Sequence, residues 1–262
     1  STLKIFRISR EYPSESQVAS IVLPSLPDGL EILDMSSLEG YGKLPIRLPS
    51  SLITLELPEN VRDGIGELPS SLERLNLGSS FNQPLPRLPA DLQVLIMGNE
   101  FNQIIPRLPT GLKVLTMGEN FNHALPKLPA GMRVLNLGNR YNQELPSELP
   151  RSLIRLDLGG VFFNHPLPMQ LPIGLQFLKL SYLFEQELPR ELPPGLETLV
   201  LGDRFFDDDE KRVIPKLPEN LRCLDMGNGR YYQQIPKLPV SLKKLYLGRV
   251  FQGVLPDVLP PT

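Results

Sequence analysis

Residues 101–120 read FNQIIPRLPTGLKVLTMGEN. They are preceded by FNQPLPRLPADLQVLIMGNE (81–100) and followed by FNHALPKLPAGMRVLNLGNR (121–140). The chain says nearly the same thing three times, so the reading of one copy decides the fold. In LKVLTM (112–117), Leu115 and Met117 alternate with Val114 and Thr116. That period of two predicts a short strand. One such strand cannot bury its leucines alone. Strands stacked in parallel, about 4.8 Å apart, make a continuous core.

The pattern extends in both directions. Anchored on L-P-x-x-L-x-x-L-x-L, the units begin at Leu26, Leu48, Leu68, Leu88, Leu108, Leu128, Leu149, Leu171, Leu192, Leu217, Leu238 and Leu259. The spacing is 20 to 22 residues, apart from 25 between Leu192 and Leu217. A period in this range with L-x-x-L-x-L is the leucine-rich repeat signature. The expected fold is a repeat solenoid with a parallel sheet on its concave side. Residues 1–20 are expected to form an N-terminal cap, and 21–262 one solenoid of eleven units complete through the strand plus a C-terminal half unit.

The other half of each unit, FNxxLPxLPxx, is too short and too rich in proline for an α-helix. Pro106 and Pro109 each bias the residue before them toward extended backbone. The convex side is therefore expected to be extended or polyproline-II chain, with short 3-10 pieces and little α-helix. The 29 prolines, about twice the usual share, belong to this pattern.

The segment Gly98-Asn99-Glu100-Phe101-Asn102 recurs at Gly78–Asn82, at Gly118–Asn122 and, with tyrosine, at Gly138–Asn142. Followed by PLP or IIP, it resembles the FNIP-repeat (FGxxFN) branch of leucine-rich repeats, found in social amoebae and large DNA viruses of protists. The motif residues are Gly78, Phe81, Asn82, Gly98, Phe101, Asn102, Gly118, Phe121, Asn122, Gly138, Tyr141 and Asn142. The aromatics are expected to stack as a spine inside the turns. Each asparagine side chain is expected to bond neighbouring backbone in its turn. Repeat two has LPENV instead of the motif, and the asparagine is lost after Asn164. LPxLPxxLxxL also resembles the repeats of bacterial effector ubiquitin ligases, whose separate ligase domain carries Cys-x-Asp. Cys223-Leu224-Asp225 spells that motif, but at strand positions with no helical domain after it.

Little in the sequence points to catalysis. One cysteine excludes an internal disulfide framework and a multi-cysteine metal site. His123 and His165 occupy the place of Gln83, Gln103 and Gln143, which reads as turn surface. DDDEKR (207–212) reads as a solvated loop in the long unit. Arg47, Arg87, Arg107, Lys127, Lys216 and Lys237 form a basic column between the paired L-P dipeptides, interrupted by Glu67, Glu148 and Glu191. The net charge of −2 argues against nucleic acid or a membrane surface as partner. No catalytic, cofactor-binding or metal residues are expected.

The outward strand positions carry more information. Val94, Ile96, Val114, Thr116 and Val134 are expected to form one apolar patch, with Asn136, Arg155 and Asp157 beside it and Phe177 as an exposed anchor. An apolar centre with a polar rim is what an interaction site looks like. The competing account is that β-branched residues suit any strand. The lone cysteine and the absence of N-x-[ST] favour an intracellular place, and the family resemblance implies a protist host or its virus-infected cell. The expected function is a non-enzymatic scaffold binding a protein partner on the concave sheet. The alternatives are self-association through the ends or the patch, and a ligase-like or ligase-adaptor role.

Overall fold

Among the described residues every β-strand has three residues, and its central residue is a buried leucine in all but the first and last strands. The computed structural model describes residues 3–7, 25–38, 47–206, 212–232, 234–256 and 259. It divides into two compact units, Ser1–Met132 and Arg133–Thr262. The first unit holds β1 (Ile5–Arg7), β2 (Ile32–Asp34), β3 (Thr54–Glu56), β4 (Arg74–Asn76), β5 (Val94–Ile96) and β6 (Val114–Thr116). The second holds β7 (Val134–Asn136), β8 (Arg155–Asp157), β9 (Phe177–Lys179), β10 (Thr198–Val200), β11 (Cys223–Asp225) and β12 (Lys244–Tyr246). Within each unit the strands follow in chain order and pair in parallel. Among the described residues there is no helix of any kind, 3-10 included.

The repeat motif is a pair of turns around a strand. In L-P-x-x-L the proline carbonyl accepts the N–H of the leucine three residues on, as in Leu112 to Pro109 at 3.2 Å and Leu196 to Pro193 at 3.0 Å. In G-x-x-F the glycine carbonyl accepts the aromatic N–H, as in Phe101 to Gly98 at 3.1 Å. Both are i to i+3 closures, so the sequence spacing is the turn. Proline suits the first, because only its carbonyl is used there. Between the two turns one strand is held in a fixed register. Hence Val94 pairs with Val114 across 20 residues, and Thr198 with Cys223 across 25.

The core is the leucine columns and the aromatic column beneath the turns. Leu92, Leu95, Phe101, Leu112, Leu115 and Phe121 have no exposed surface. In the first unit Phe81, Phe101 and Phe121 stack with centroids 6.3 and 6.2 Å apart. In the second, Tyr141, Phe163, Phe184 and Phe205 stack at 6.1 to 6.2 Å. Phe206 then turns edge-on between Phe205 and Tyr231. In the pairs Phe162–Phe163 and Tyr231–Tyr232, Phe163 and Tyr231 go inside while Phe162 and Tyr232 stay exposed. Val61 fills the aromatic place in the LPENV repeat and is buried.

The glycine of G-x-x-F sits where one repeat touches the next. A Cβ on Gly98 would lie 1.7 Å from the Gly78 carbonyl oxygen, and one on Gly118 1.8 Å from that of Gly98. Ser181 takes this place after β9, two residues further along than a 20-residue repeat would put it, and its hydroxyl donates to the Phe163 carbonyl.

Of the expected cap at 1–20, residues 3–7 are described, and Ile5–Arg7 are the first strand of the ladder, pairing with Ile32–Asp34. Of DDDEKR, residues 207–211 lie outside the described residues. Arg212 donates to the Phe205 carbonyl at 2.9 Å.

Candidate functional site

Side chains that leave the core at the first and third residues of each strand form two columns per unit. In the first unit, register places Arg74, Val94 and Val114 side by side, and Asn76, Ile96 and Thr116 beside them. Val94, Ile96, Val114 and Thr116 are half-buried, each shielded by its neighbours in the ladder. The apolar columns end at Arg74, whose Nε donates to Glu56 at 2.6 Å.

The second unit is built differently. Val134 stands beside Arg155, and Asn136 beside Asp157. Arg155 is a hub. Its Nε donates to Asn136 Oδ1 at 3.2 Å, its Nη2 to Asp157 Oδ2 at 3.1 Å, and its guanidinium lies 3.6 Å from the centre of the Phe177 ring. Lys179 reaches Asp157 at 3.6 Å. Phe177 was expected to be exposed. It is half-buried, because Arg155 from the neighbouring strand covers one face of the ring. A cation over a half-desolvated ring is a favourable contact, which holds both side chains in place.

Some outward residues also hold turns, a role that reading them as surface missed. Asp157 Oδ1 accepts the Gly159 N–H at 3.2 Å, Asp225 that of Gly227 at 3.0 Å, and Asn76 that of Gly78 at 3.3 Å. Those three glycines have positive φ. The signal was legible as Asp or Asn two residues before glycine, a short side chain bonding its own backbone two residues on.

The motif asparagines bond backbone, but one repeat away. Asn82 Oδ1 accepts the Asn102 N–H at 2.9 Å, and Asn102 that of Asn122 at 3.0 Å. In the second unit Asn142 serves Asn164, and Asn164 serves Glu185. After the asparagine is lost, isolated bridges Tyr231–Phe251 and Gln234–Val254 pair main chain directly. His123 and His165 do the work of the glutamines they replace. The Nε2 of each lies 3.1 Å from a carbonyl in the preceding repeat, Asn102 and Asn142 respectively, just as Gln83 donates to the Arg62 carbonyl. With only a carbonyl opposite, that nitrogen carries the proton.

Cys223 is half-buried on β11, between Thr198 and Lys244. Burial pushes its thiol up, the Asp225 carboxylate pushes it further, and Lys244 pulls the other way without reversing the shift. A thiol held protonated is a poor nucleophile. Among the described residues no group of three His, Cys, Asp or Glu could hold a metal ion. Among them, too, no helix is long and apolar enough to cross a membrane.

The FNIP Repeat family model matches residues 64–100, in the first unit, and 141–183, in the second. Among solved structures the chain is similar to CroV588, a circular leucine-rich-repeat protein of a giant virus. The TM-score is 0.70 and the identity 26%, over 98% of this chain and 42% of that one. The chain thus spans less than half of CroV588. It is also similar to YopM from Yersinia enterocolitica WA-314, with TM-score 0.48 and 24% identity over 90% of this chain and 68% of that one. For YopM from Yersinia pestis the TM-score is 0.47 and the identity 20%, over 93% and 84%. A comparison with curated proteins finds no match. The chain thus has a leucine-rich-repeat fold, with a stretch similar to the FNIP Repeat family in each of its two units.

Proposed function

We propose that this chain is a non-enzymatic interaction scaffold that takes a protein partner on the outward face of its strands. The observation that carries this reading is the uncharged run of Val94, Ile96, Val114 and Thr116 on two adjacent strands of the first unit. Elsewhere in the first unit the same columns carry the charges of Arg7, Asp34, Glu56 and Arg74. Repeat folds of this kind commonly bind along such a ladder. In the second unit Val134, Asn136, Arg155, Asp157 and Phe177 offer a contrasting surface, a fixed polar network around one ring. The similarity to a giant-virus protein supports an intracellular, virus-infected setting for the partner.

The test is affinity capture from protist lysate with the wild-type chain, a Val94→Asp, Val114→Asp, Val134→Asp variant, and an Arg155→Ala, Phe177→Ala variant, each first shown folded by circular dichroism. A protein held by the wild type and released by the aspartate variant supports the strand face. Equal capture by all three baits refutes it.

A second reading is self-association through the ladder ends. Leu3 before β1 and Ile5 within it are exposed, and on β12 Tyr246 is exposed while Leu245 loses the full burial of its counterparts. Edge strands recruit other strands. A mass by light scattering that rises with concentration favours this reading. A mass fixed at one chain removes it.

A further inference from the structure

The cations of the first unit divide into two kinds. On the strand side Lys4 bonds Glu31, Arg7 bonds Asp34 and Arg74 bonds Glu56. On the back Arg87, Arg107 and Lys127 recur once per repeat, are exposed, and have no acidic or hydrogen-bonding partner among the described residues. Arg87 and Arg107 also line a groove of about 860 Å³. Pro86, Pro89, Pro106 and Pro109 line the same groove. Proline has no N–H, so those four residues offer an occupant apolar surface and no main-chain donor. The strong donors in reach are the two guanidiniums, whose forked N–H groups suit carboxylates. Glu67 also lines the groove, one repeat before Arg87, and repels anions there.

We infer that this groove binds an extended, acidic peptide segment of a protein partner, with carboxylates on Arg87 and Arg107 and apolar side chains against the prolines. Nucleic acid fits poorly. No aromatic lines the groove for a base to stack on, and tight binding to phosphates needs many more cations than a chain of net charge −2 gathers here. This site stands apart from the strand face and does not depend on it.

The experiment is fluorescence anisotropy with a labelled Glu-Leu-Glu-Pro-Glu-Leu-Glu peptide, its glutamine counterpart and a uridine oligonucleotide. The variants are Arg87→Glu with Arg107→Glu, the milder Arg87→Gln with Arg107→Gln, and Glu67→Gln. All change exposed side chains, and circular dichroism verifies the fold. The acidic peptide should bind the wild type, the glutamine peptide at least about tenfold more weakly, and the double glutamate variant at least about tenfold more weakly than wild type. Glu67→Gln should tighten binding. The inference is overturned if no acidic peptide binds, if the glutamine peptide binds equally, if folded double variants bind as well as wild type, or if the oligonucleotide binds in preference.

Discussion

Asn82 ties two repeats through a single oxygen. Its Oδ1 accepts the Asn102 N–H at 2.9 Å and the Gln103 side-chain amide at 3.1 Å. Asn82→Ala removes that acceptor and both of its bonds, and chemical denaturation should show a loss of about 1–2 kcal/mol. Asn82→Asp keeps the acceptor and should stay near wild type. The contact glycines are stricter. Gly98→Ala sets a Cβ against the Gly78 carbonyl, so a loss above about 3 kcal/mol is expected. Gly131→Ala, with nothing within 4 Å of the added atom, should stay within about 0.5 kcal/mol. If the two alanine variants unfold alike, the close repeat contact is not what selects glycine. Tyr231 brings a pH dependence. Burial lifts its phenol from 10.0 to about 12, while the hydroxyl donates to the Gln234 carbonyl at 2.9 Å. The folded state keeps a proton that the unfolded chain gives up. That stability is whole below pH 10.0 and is lost as pH rises through about 12. Tyr231→Phe should lose less stability than wild type between about pH 8 and about pH 11 in urea melts. Asparagine as a turn residue was legible in FN. Its partner was not, because periodicity says that repeats adjoin without saying which main-chain group faces which side chain.

At the scale of the element, a strand of three residues has too few bonds to persist alone. Each one exists because two i to i+3 turns bracket it and identical neighbours flank it. L-P-x-x-L and G-x-x-F therefore made strand position, direction and register legible before any geometry was known. The aromatic column was legible for the same reason, since one aromatic recurs in nearly every turn. Less of the candidate site was legible. Val94 and Val114 were placed correctly as outward and adjacent, but alternation cannot say how far a neighbour shields a side chain. Phe177 looked exposed because its cover, Arg155, comes from a strand 22 residues earlier. Phe101 measures what the column contributes. It has no exposed surface and stacks on Phe81 and on Phe121. Phe101→Ala should cost about 3–5 kcal/mol, and Phe101→Leu distinctly less. Hydrogen exchange should locate the loosening in β4 to β6, the strands of the repeats that supply those three rings. Loosening spread evenly over the first unit would mean that the repeats do not act as nearest neighbours.

Across the molecule, charge is arranged so that two kinds of docking answer differently to salt. Net charge is only −2, so no long-range field favours either. On the strand side of the first unit Lys4, Arg7 and Arg74 are tied to acids and Lys113 to Gln93, which leaves Val94, Ile96 and Val114 to act by apolar burial. On the back Arg87 and Arg107 are untied, and an occupant there is held mainly by its charge. Raising ionic strength from about 0.05 M to about 0.5 M shrinks the Debye length from roughly 14 Å to roughly 4 Å. Exposed ion pairs weaken across that range, whereas apolar contact does not. A partner captured through the strand face should therefore survive the high-salt wash with little loss. The acidic peptide should be displaced by it, with anisotropy falling toward that of free peptide. Were the strand-face partner to wash off while the peptide stayed, the valines would not be the contact, and the arginines would not be holding carboxylates. The two measurements share one buffer series, so each serves as the control for the other.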